Sequence, residues 1–434
     1  MNEVKELVRI TILLAFLMSL TVGSVQAQFT SITVFGDSLS DVGNVENATF
    51  GFQPGSDYFE GRFSNGPVYS EALADKLGLG PLLASTDGGS NYAYGGAQTT
   101  GTSFLQGLFV EDLDEQVDEF LSSNSPTSDG LYVVLIGGND FFIGDASDAP
   151  LVANNALGQI DRLVQAGARN ILSINLPLLG TVPGGRTDEA SLNQRTLVFN
   201  EVLEMGLQER ESDDLNLFRL NLEEVFAVIL ENPTEFAFSN VTGQGINASD
   251  ATGFLFWDEI HPSTAAHGLL AEAAFRQVQS IPAFGGDFDF DGQLDAADID
   301  LLSRQIVGDT GRLSFDVDED GVLSSDDVDS LLSMASRLNG DADFDGEVAF
   351  ADFLIVSANF GQSDDQLRWS TGDFDSDGAV AFRDFLIVSR NFGQSSILVP
   401  VPEPTCSLLV AFGFCAVLST RVRRIKVAYL DKVA

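Results

Sequence analysis

An acidic motif that recurs four times after residue 285 constrains the fold more than any other feature of the sequence. Each copy has the pattern Asp-x-Asp-x-Asp-Gly, and the copies begin at Asp287, Asp316, Asp341 and Asp373. The last two begin 32 residues apart (373 − 341) and continue into near-identical sequence, which indicates a tandem repeat. The preceding sequence instead alternates between strand-like and helix-like patterns. We therefore predict a larger domain over residues 28–283 and a repeat domain over residues 285–395.

The spacing of oxygen-bearing groups in each repeat is typical of a calcium-binding loop. Calcium prefers about six to eight oxygen ligands, and carboxylates at loop positions 1, 3, 5 and 12 can point to one centre, joined by the backbone carbonyl at position 7. Glycine at position 6 permits the sharp turn. One acidic turn could simply be solvated, but four in register favour bound calcium. The predicted ligand sets are Asp287, Asp289, Asp291, Gln293 and Asp298; Asp316, Asp318, Asp320, Val322 and Asp327; Asp341, Asp343, Asp345, Glu347 and Asp352; and Asp373, Asp375, Asp377, Ala379 and Asp384.

Two features of these loops resemble dockerin repeats. Position 12 is aspartate, not the longer glutamate, and most of the loops have a helical pattern only on their C-terminal side. The resemblance implies loop–helix units in a small α-helical domain whose partner is a cohesin domain. The gaps between the copies lead us to expect two pairs of loops. A calcium-stiffened spacer without a cohesin partner is the alternative, and we favour it.

The composition excludes several classes of function. The chain has 22 Lys plus Arg against 64 Asp plus Glu, a formal net charge of −42, so we expect no nucleic-acid partner. Both cysteines, Cys406 and Cys415, lie near the C-terminal end, which excludes disulfides and cysteine-based zinc sites from the folded body. The two histidines are His261 and His267, so any mechanism that requires an imidazole must use one of them.

Both ends of the chain carry apolar segments typical of exported proteins. Residues 1–27 place Lys5 and Arg9 before an apolar run and end in small residues, as a cleavable signal peptide does. Residues 396–434 contain Pro402-Glu403-Pro404, a second apolar run and a cluster of arginines. A permanent membrane anchor is the alternative at either end.

The order of the motifs at the C-terminal end resembles the PEP-CTERM sorting tail of bacteria. That resemblance implies that the tail stops transiently in the membrane, with its arginines in the cytoplasm, and is processed by an exosortase. The protein would then reside at the cell surface or in the extracellular matrix of a bacterium.

Short β-rich runs that end in glycine or proline alternate with helical patterns over residues 28–280. The predicted strands and helices are Ser31–Phe35, Leu131–Ile136 and Asn170–Asn175, and Tyr69–Leu77, Ala156–Ala166 and Leu192–Glu211. This alternation predicts an α/β domain with three layers, α/β/α, around a parallel sheet. Sites in such domains form beyond the carboxyl ends of the strands, where the polar motifs Gly36–Ser38 and Gly137–Asp140 fall.

Residues that suit nucleophilic catalysis lie in or near these motifs. Ser38 follows the first strand at a turn. Asp258 precedes His261 by three residues, a spacing that lets the carboxylate orient the imidazole. The Asn139 side chain and the Gly95 backbone N–H are candidate donors to an oxyanion. Each motif alone is common as a turn or a surface pair, so the prediction of a site depends on finding all of them together.

These motifs, in this order, resemble the GDSL, or SGNH, hydrolase family. The first block of that family matches Gly36–Leu39, its glycine block matches Gly95, and its last two blocks match Gly137–Asp140 and Asp258–His261. The sequence Gly-Arg-Phe-Ser-Asn-Gly at residues 61–66 further resembles the plant-type and thermolabile-haemolysin-like branch.

The resemblance implies a flavodoxin-like SGNH fold and a serine esterase or lipase. Ser38 would be the nucleophile, His261 with Asp258 the base, and Gly95 and Asn139 the oxyanion donors, with no cofactor for catalysis. The substrate would be an ester of a lipid or of an acylated polysaccharide. The alternative is a calcium-dependent surface or matrix-associated protein, or a cohesin-bound component, that keeps an inactive hydrolase scaffold.

Two other groups have plainer interpretations. His267 has no acidic residue three or four positions before it, so we predict a structural role. The aromatic residues near the motifs could line an acyl pocket or belong to the core, and we favour the core. These residues are Tyr92, Tyr94, Phe141 and Phe142.

Overall fold

The computed structural model describes most of the chain between its two terminal segments. The described residues are 29–101, 108–144, 146–279, 286–363 and 367–396. The chain divides into two compact units between Leu301 and Leu302. The first acidic loop, which the sequence groups with the other three, therefore belongs to the first unit. The predicted signal peptide and almost all of the predicted sorting tail lie outside the described residues.

A parallel sheet forms the centre of the first unit. Its strands lie side by side in the order β1 (Ser31–Gly36), β2 (Gly130–Leu135), β3 (Asn170–Ile174) and β4 (Asn216–Leu220). Every residue of β2 and β3 is buried, so both faces of the sheet are covered. The predicted parallel sheet is confirmed, whereas β4 was not predicted.

Helices connect these strands, as parallel pairing requires. The helices of the first unit are α1 (Asn44–Ala48), α2 (Tyr69–Lys76), α3 (Leu113–Ser123), α4 (Gly138–Phe142), α5 (Ala149–Ala166), α6 (Glu189–Gln208), α7 (Leu222–Glu231) and α8 (Thr264–Val278). Helix α5 packs against α6, and α2 packs against α8. A second, two-stranded parallel sheet pairs β5 (Asn240–Gln244) with β6 (Phe254–Phe256).

Capping side chains set the starts of the helices that matter for the site. The Asp148 carboxylate accepts a hydrogen bond from the Leu151 N–H and begins α5. The Ser263 hydroxyl accepts one from the Ala266 N–H and begins α8. Because Ser263 comes two residues after His261, this cap also fixes where the histidine loop enters the helix.

Aromatic rings fill the core beneath the carboxyl end of β1. The ring of Phe35 lies 5.7 Å from that of Tyr92 and 5.6 Å from that of Phe120, measured between centroids. Tyr94 and Phe141 are also buried. The structure thus places three of the four aromatic residues considered for an acyl pocket in the core.

The second unit is built from loop–helix repeats. Helix α9 (Ala296–Val307) spans the division between the units, and α10 (Ser325–Met334), α11 (Phe350–Asn359) and α12 (Phe382–Asn391) follow in the second. Each acidic loop immediately precedes one of these four helices.

The third and fourth repeats are joined reciprocally. In the loop before α11, Val348 donates its N–H to Gln394 O, at 3.0 Å, in the segment after α12. In the loop before α12, Val380 donates to Gln362 O, at 3.0 Å, in the segment after α11. The two bonds are related by the 32-residue shift of the repeat (380 − 348 and 394 − 362), so these repeats form one symmetric pair.

Apolar helices long enough for a bilayer are absent from the described part of the chain.

Candidate active site

The turn after β1 places Ser38 at the carboxyl edge of the sheet. A side chain at Gly36 would put its Cβ 2.3 Å from Leu135 O in β2, so only glycine fits where the strand ends. The Asp37 carbonyl then accepts hydrogen bonds from the N–H groups of Ser40 and Asp41, each at 3.0 Å. This tight turn holds Ser38 almost fully buried at the rim of a cavity.

The structure brings Ser38, His261 and Asp258 together in one hydrogen-bonded chain. His261 Nε2 lies 2.8 Å from Ser38 Oγ, although the two residues are 223 positions apart in the sequence. His261 Nδ1 lies 2.6 Å from Asp258 Oδ2. The other carboxylate oxygen, Oδ1, accepts the backbone N–H groups of Ile260 and His261 at 2.8 and 2.7 Å. The loop therefore fixes the carboxylate, and the carboxylate fixes the imidazole.

The surroundings of Asp258 keep it ionised. Burial raises the pKa of a carboxyl group, but the hydrogen bond and charge of His261 and the hydrogen bond from Tyr58 outweigh it and lower the pKa of Asp258 to about 2. Asp258 is thus an anion at every pH at which the imidazole can act as a base, and it can stabilise the imidazolium that forms.

One predicted oxyanion donor lies beside the serine. Asn139 is in α4, directly after β2, and shares a cavity wall with Ser38 and His261. Its side-chain Nδ2 donates one hydrogen bond to Ala97 O at 3.0 Å. That bond orients the amide, whose second N–H is the group available to a substrate.

The other predicted donor is engaged elsewhere. The Gly95 N–H donates to Asp41 Oδ2 at 2.9 Å. The Asp41 carboxylate is fully buried and also accepts the N–H groups of Gly43 and Asn44 at 2.8 and 2.7 Å. The Asp41 carboxylate therefore accepts backbone N–H groups from two loops. The role of Gly95 as an oxyanion donor stays a prediction.

An apolar cavity opens next to Ser38. Its volume is about 50 Å³, and most of its walls are hydrocarbon side chains. These include Leu39, Phe142, Leu176, Leu179, Phe226 and Ile260. Because water gains little from such walls, the cavity suits an acyl group better than a polar one.

The comparisons with known proteins agree with this geometry. Residues 32–274, more than half of the chain, match the family model described as GDSL-like Lipase/Acylhydrolase. The chain belongs to this family. Its esterase and lipase type of hydrolase function follows at the level of the family.

Curated relatives of this GDSL hydrolase come from bacteria and plants. Phosphatidylcholine-sterol acyltransferase of Aeromonas hydrophila is 26% identical over 323 residues, which span 61% of this chain and 95% of that protein. Thermolabile hemolysin of Vibrio parahaemolyticus is 28% identical, over 59% of this chain and 66% of its own length. A GDSL esterase/lipase of Arabidopsis thaliana is 25% identical, over 57% of this chain and 88% of its own length.

Tyr58 of the GDSL hydrolase also contacts the triad, although no sequence pattern predicted it. Its hydroxyl donates to Asp258 Oδ2 at 2.6 Å, the oxygen that also receives His261 Nδ1. Tyr58 lies three residues before the Gly-Arg-Phe-Ser-Asn-Gly motif, and that motif was the one signal that could have drawn attention to it.

The same motif supports the histidine loop. The Phe63 ring lies 5.1 Å from the His261 imidazole, between centroids. Ser64 Oγ donates to Pro262 O at 2.9 Å, and Asn65 Oδ1 accepts the Thr264 N–H at 2.8 Å. Residues 58–65 thus hold the loop that carries the catalytic pair.

The second histidine of the GDSL hydrolase is buried away from the serine. His267 Nδ1 accepts the Tyr69 N–H at 3.2 Å, and its ring stacks on that of Tyr69 at 6.4 Å. Burial, aided by the charge of His261, lowers the pKa of His267 to about 3. This neutral imidazole joins α8 to α2, which agrees with the structural role predicted for it.

All four acidic loops share one backbone shape. The residue at position 4 is left-handed in each, with φ of 62°, 59°, 59° and 53° at Phe290, Glu319, Phe344 and Ser376. The N–H at position 7 donates to the carboxylate at position 5 in each, at 2.7 to 3.0 Å. The position-7 residues are Gln293, Val322, Glu347 and Ala379.

Three carboxylates converge in every loop, with one oxygen of each within 4.8 Å of the others. The converging positions are 1, 3 and 5 in the first two loops and 1, 3 and 12 in the last two. These sets are Asp287, Asp289 and Asp291; Asp316, Asp318 and Asp320; Asp341, Asp343 and Asp352; and Asp373, Asp375 and Asp384. The remaining predicted carboxylates, Asp298, Asp327, Asp345 and Asp377, lie outside these clusters.

Several of these oxygens are buried without a hydrogen-bond donor. Asp287 Oδ1, Asp341 Oδ1 and Asp375 Oδ1 have no hydrogen-bond partner among the described residues. A buried carboxylate oxygen without a donor is costly unless a cation occupies its other side. The donor set, which consists of oxygen alone, fits a hard divalent cation such as calcium.

Proposed function

We propose that this GDSL hydrolase is an exported serine ester hydrolase that works through an acyl-enzyme on Ser38. The observation that carries the proposal is the unbroken chain from Ser38 Oγ through His261 to Asp258, with contacts of 2.8 and 2.6 Å. An inactive scaffold would have no need to keep this chain intact, which makes a purely structural role the weaker alternative.

The chemistry follows the positions of these groups. Ser38 Oγ attacks the ester carbonyl while His261 Nε2 takes its proton, and the Asn139 amide and the Ser38 N–H face the developing oxyanion. The imidazolium then gives its proton to the leaving alcohol, which leaves the acyl group on Ser38. Water, deprotonated by the same imidazole, attacks that acyl group, and the acid leaves as Ser38 regains its proton.

Substitution of the serine tests this proposal. Ser38→Ala should abolish hydrolysis of p-nitrophenyl esters and labelling by a fluorophosphonate probe. Ser40→Ala, in the same turn but bonded to the Tyr69 hydroxyl, is the matched control and should keep both. Undiminished hydrolysis in the Ser38 variant would refute the acyl-enzyme.

We propose a lipid ester or an acylated polysaccharide as the substrate. The apolar cavity beside Ser38 supports an acyl group on the acid side of the ester. The relative named phosphatidylcholine-sterol acyltransferase supports the lipid option. Rates on a panel of acyl esters, phospholipids and acetylated glycans distinguish the two, because a glycan esterase should be inactive on the phospholipids.

We also propose that each acidic loop binds one calcium ion, which takes no part in ester hydrolysis. The converging carboxylates and the buried oxygens without donors support this assignment. Titration calorimetry of the chelator-treated full-length protein should give four ions. Asp375→Asn, which changes a converging carboxylate of the fourth loop, should give three, whereas the exposed Asp213→Asn should give four. No binding in the millimolar range would refute the proposal.

The terminal motifs support a proposal on export, and the acidic repeats support one on a partner. We propose removal of residues 1–27 and processing of the C-terminal tail by an exosortase, which would leave the enzyme at the cell surface or in the matrix of a bacterium. Mass spectrometry of the mature protein should find a chain that starts near residue 28 and ends near Pro402-Glu403-Pro404. A cohesin-type partner is tested by pull-down with and without calcium, and a spacer would capture none.

A further inference from the structure

The first acidic loop is in contact with the catalytic unit. Arg276, near the C-terminal end of α8, forms an ion pair with Asp287 through Nη2 and Oδ2. Arg276 Nη1 also donates to Asp287 O at 3.3 Å. Both residues are more than nine-tenths buried. The residue at position 1 of the loop is therefore held by a helix of the hydrolase.

Aromatic packing adds to this contact. Phe290 is at position 4 of the loop, and the Arg276 guanidinium carbon lies 5.5 Å from the centroid of its ring. Its ring is 6.4 Å from that of Phe236, which follows α7. Phe288 is also buried. The loop thus contributes two apolar side chains to the core of the first unit.

The third loop shows that this arrangement recurs. Arg337 Nε lies 3.8 Å from Oδ2 of Asp341 at position 1. Its guanidinium carbon lies 4.8 Å from the ring centroid of Phe344 at position 4. There the arginine comes from the chain just before the loop, whereas in the first loop it comes from α8, eleven residues earlier (287 − 276). Helix α8 of the hydrolase therefore supplies to the first loop the arginine that the third repeat supplies from its own sequence.

Arg276 is tied in turn to the helix pair behind the active site. Its Nε donates to Glu272 Oε1 at 2.9 Å, and Glu272 Oε2 accepts Lys76 Nζ of α2 at 2.6 Å. Helix α2 is the element whose Tyr69 N–H bonds to His267 of α8. A change in the position of Asp287 can therefore alter the contacts of both α8 and α2.

One oxygen in this network points to a ligand. Asp287 is 7% exposed, and its Oδ1 has no partner among the described residues, while Oδ2 accepts Arg276 and the Gly292 N–H. One carboxylate oxygen of Asp287 lies within 4.8 Å of an oxygen of Asp289 and of Asp291. A divalent cation there would satisfy Oδ1 and offset the repulsion between the carboxylates.

We propose that calcium in the first loop fastens α8 and thereby stabilises the hydrolase unit itself, in addition to the repeats. The inference rests on the calcium binding proposed above and is independent of the ester chemistry. The ion fixes the Asp287 carboxylate, which holds Arg276 over Phe290 and keeps the loop packed against the first unit. Loss of the ion loosens this contact while the catalytic triad, at the other end of α8, keeps its hydrogen bonds.

The two tryptophans allow a direct test on the full-length chain. Trp257 lies in the first unit and Trp369 in the second, so a Trp369→Phe parent reports on the hydrolase unit alone. Its unfolding temperature, followed by Trp257 fluorescence, should rise by about 5 to 10 °C when calcium exceeds its dissociation constant a hundredfold. Hydrogen exchange of residues 264–279 should slow in calcium as well.

Matched variants assign the effect to one loop. Asp291→Asn changes an exposed ligand of the first loop without touching Arg276, and it should remove most of the temperature rise. Asp375→Asn changes a converging carboxylate of the fourth loop and should leave the rise intact. Arg276→Gln should lower the unfolding temperature and reduce its response to calcium.

The outcomes separate this inference from the other proposals. Equal unfolding temperatures in calcium and chelator, with calorimetry showing filled loops, would overturn it, as would a full response in Asp291→Asn. Absence of calcium binding would overturn it together with the calcium assignment. A catalytically inactive protein that still shows the temperature rise would support it and refute only the esterase.

Discussion

Individual residues of the catalytic chain could be found from the sequence because the chemistry of each motif is local. The turn at Ser38 and the three-residue spacing of Asp258 and His261 are visible in the printed sequence. Which backbone amide faces the substrate is not visible, because it depends on where a distant carboxylate lies. The Asp41 carboxylate accepts a hydrogen bond from the Gly95 N–H, and no sequence pattern around Gly95 predicts that bond.

Tyr58 was missed for a related reason, since a single tyrosine carries no spacing signal. Tyr58→Phe removes the O–H group that shares Asp258 Oδ2 with His261. We expect kcat to fall about tenfold, as loss of one hydrogen bond to a charged group costs about 1.5 kcal/mol. The Tyr58 hydrogen bond also helps to lower the pKa of Asp258, so its removal should raise that pKa and change the acid end of the kcat/KM profile.

A pH profile of kcat/KM checks this, with Tyr92→Phe as the control. The Tyr92 hydroxyl accepts Asn124 Nδ2 and has no contact with the triad, so its variant should keep the wild-type profile. A Tyr58→Phe profile that superimposes on the wild type, at unchanged kcat, would show that the tyrosine does not position Asp258.

His267 should make the protein sensitive to acid. Its pKa is about 3 when folded and about 6.5 when unfolded, so between these values the unfolded chain binds the extra proton and stability falls as pH falls. From pH 6.5 to pH 5 the loss is about 2 kcal/mol. His267→Gln keeps an acceptor for the Tyr69 N–H but cannot titrate. Urea unfolding at the two pH values should therefore show a smaller difference in the variant, and an equal difference would contradict the assignment.

At the scale of elements, β1, β2 and β3 were predictable because each is a short apolar run that ends in a turn. Strand β4 was not, because polar residues interrupt its apolar pattern. Its residues Asn216 and Arg219 are not buried, and they interrupt the apolar run that marks a central strand. The small β5–β6 sheet was missed for the same reason, since four of the five residues of β5 are half-buried and none is fully buried.

The segment of residues 58–65 acts as one element that supports the histidine loop. A Cβ at Gly95 would lie 2.1 Å from the Phe63 ring, which packs on His261. Gly95→Ala should displace that ring and reduce kcat/KM by about a hundredfold, equivalent to about 2.7 kcal/mol. Steady-state kinetics measure this, and Phe63→Leu in the same chain should restore part of the loss by making room.

Gly158→Ala is the control for this substitution, because a Cβ at that helical position meets no atom within 4 Å. Its kinetics should match the wild type. If Gly95→Ala were as active as Gly158→Ala, the contact between Phe63 and the glycine would have no part in holding the histidine.

At the scale of the whole molecule, two kinds of unit share one chain, and their responses to a chelator should differ. Carboxylates dominate the second unit, whereas the triad uses no metal ligand. Excess chelator at 25 °C should speed hydrogen exchange in α10, α11 and α12 at least tenfold, because the repelling carboxylates lose their counter-ion. Labelling of Ser38 by a fluorophosphonate should persist, and its complete loss in chelator would contradict this independence.

The sequence predicted the boundary between these units near residue 284, where the composition changes. The structure places the division between Leu301 and Leu302. Composition marks where a repeat begins, but a compact unit is defined by what its side chains pack against. Asp287 and Phe290 pack against Arg276 and Phe236 of the hydrolase, which lie outside the repeat motif, so the motif alone could not show this attachment.

The reciprocal bonds between the third and fourth repeats have an evolutionary consequence. Each loop is hydrogen-bonded to the other repeat, through the Val348 N–H to Gln394 O and the Val380 N–H to Gln362 O. Gain or loss of a single repeat would leave these backbone groups without a partner and exposed to water and to other chains. Descendants of this protein should therefore acquire or discard such modules as doublets, and lineages with an odd number should carry a compensating change at the unmatched valine.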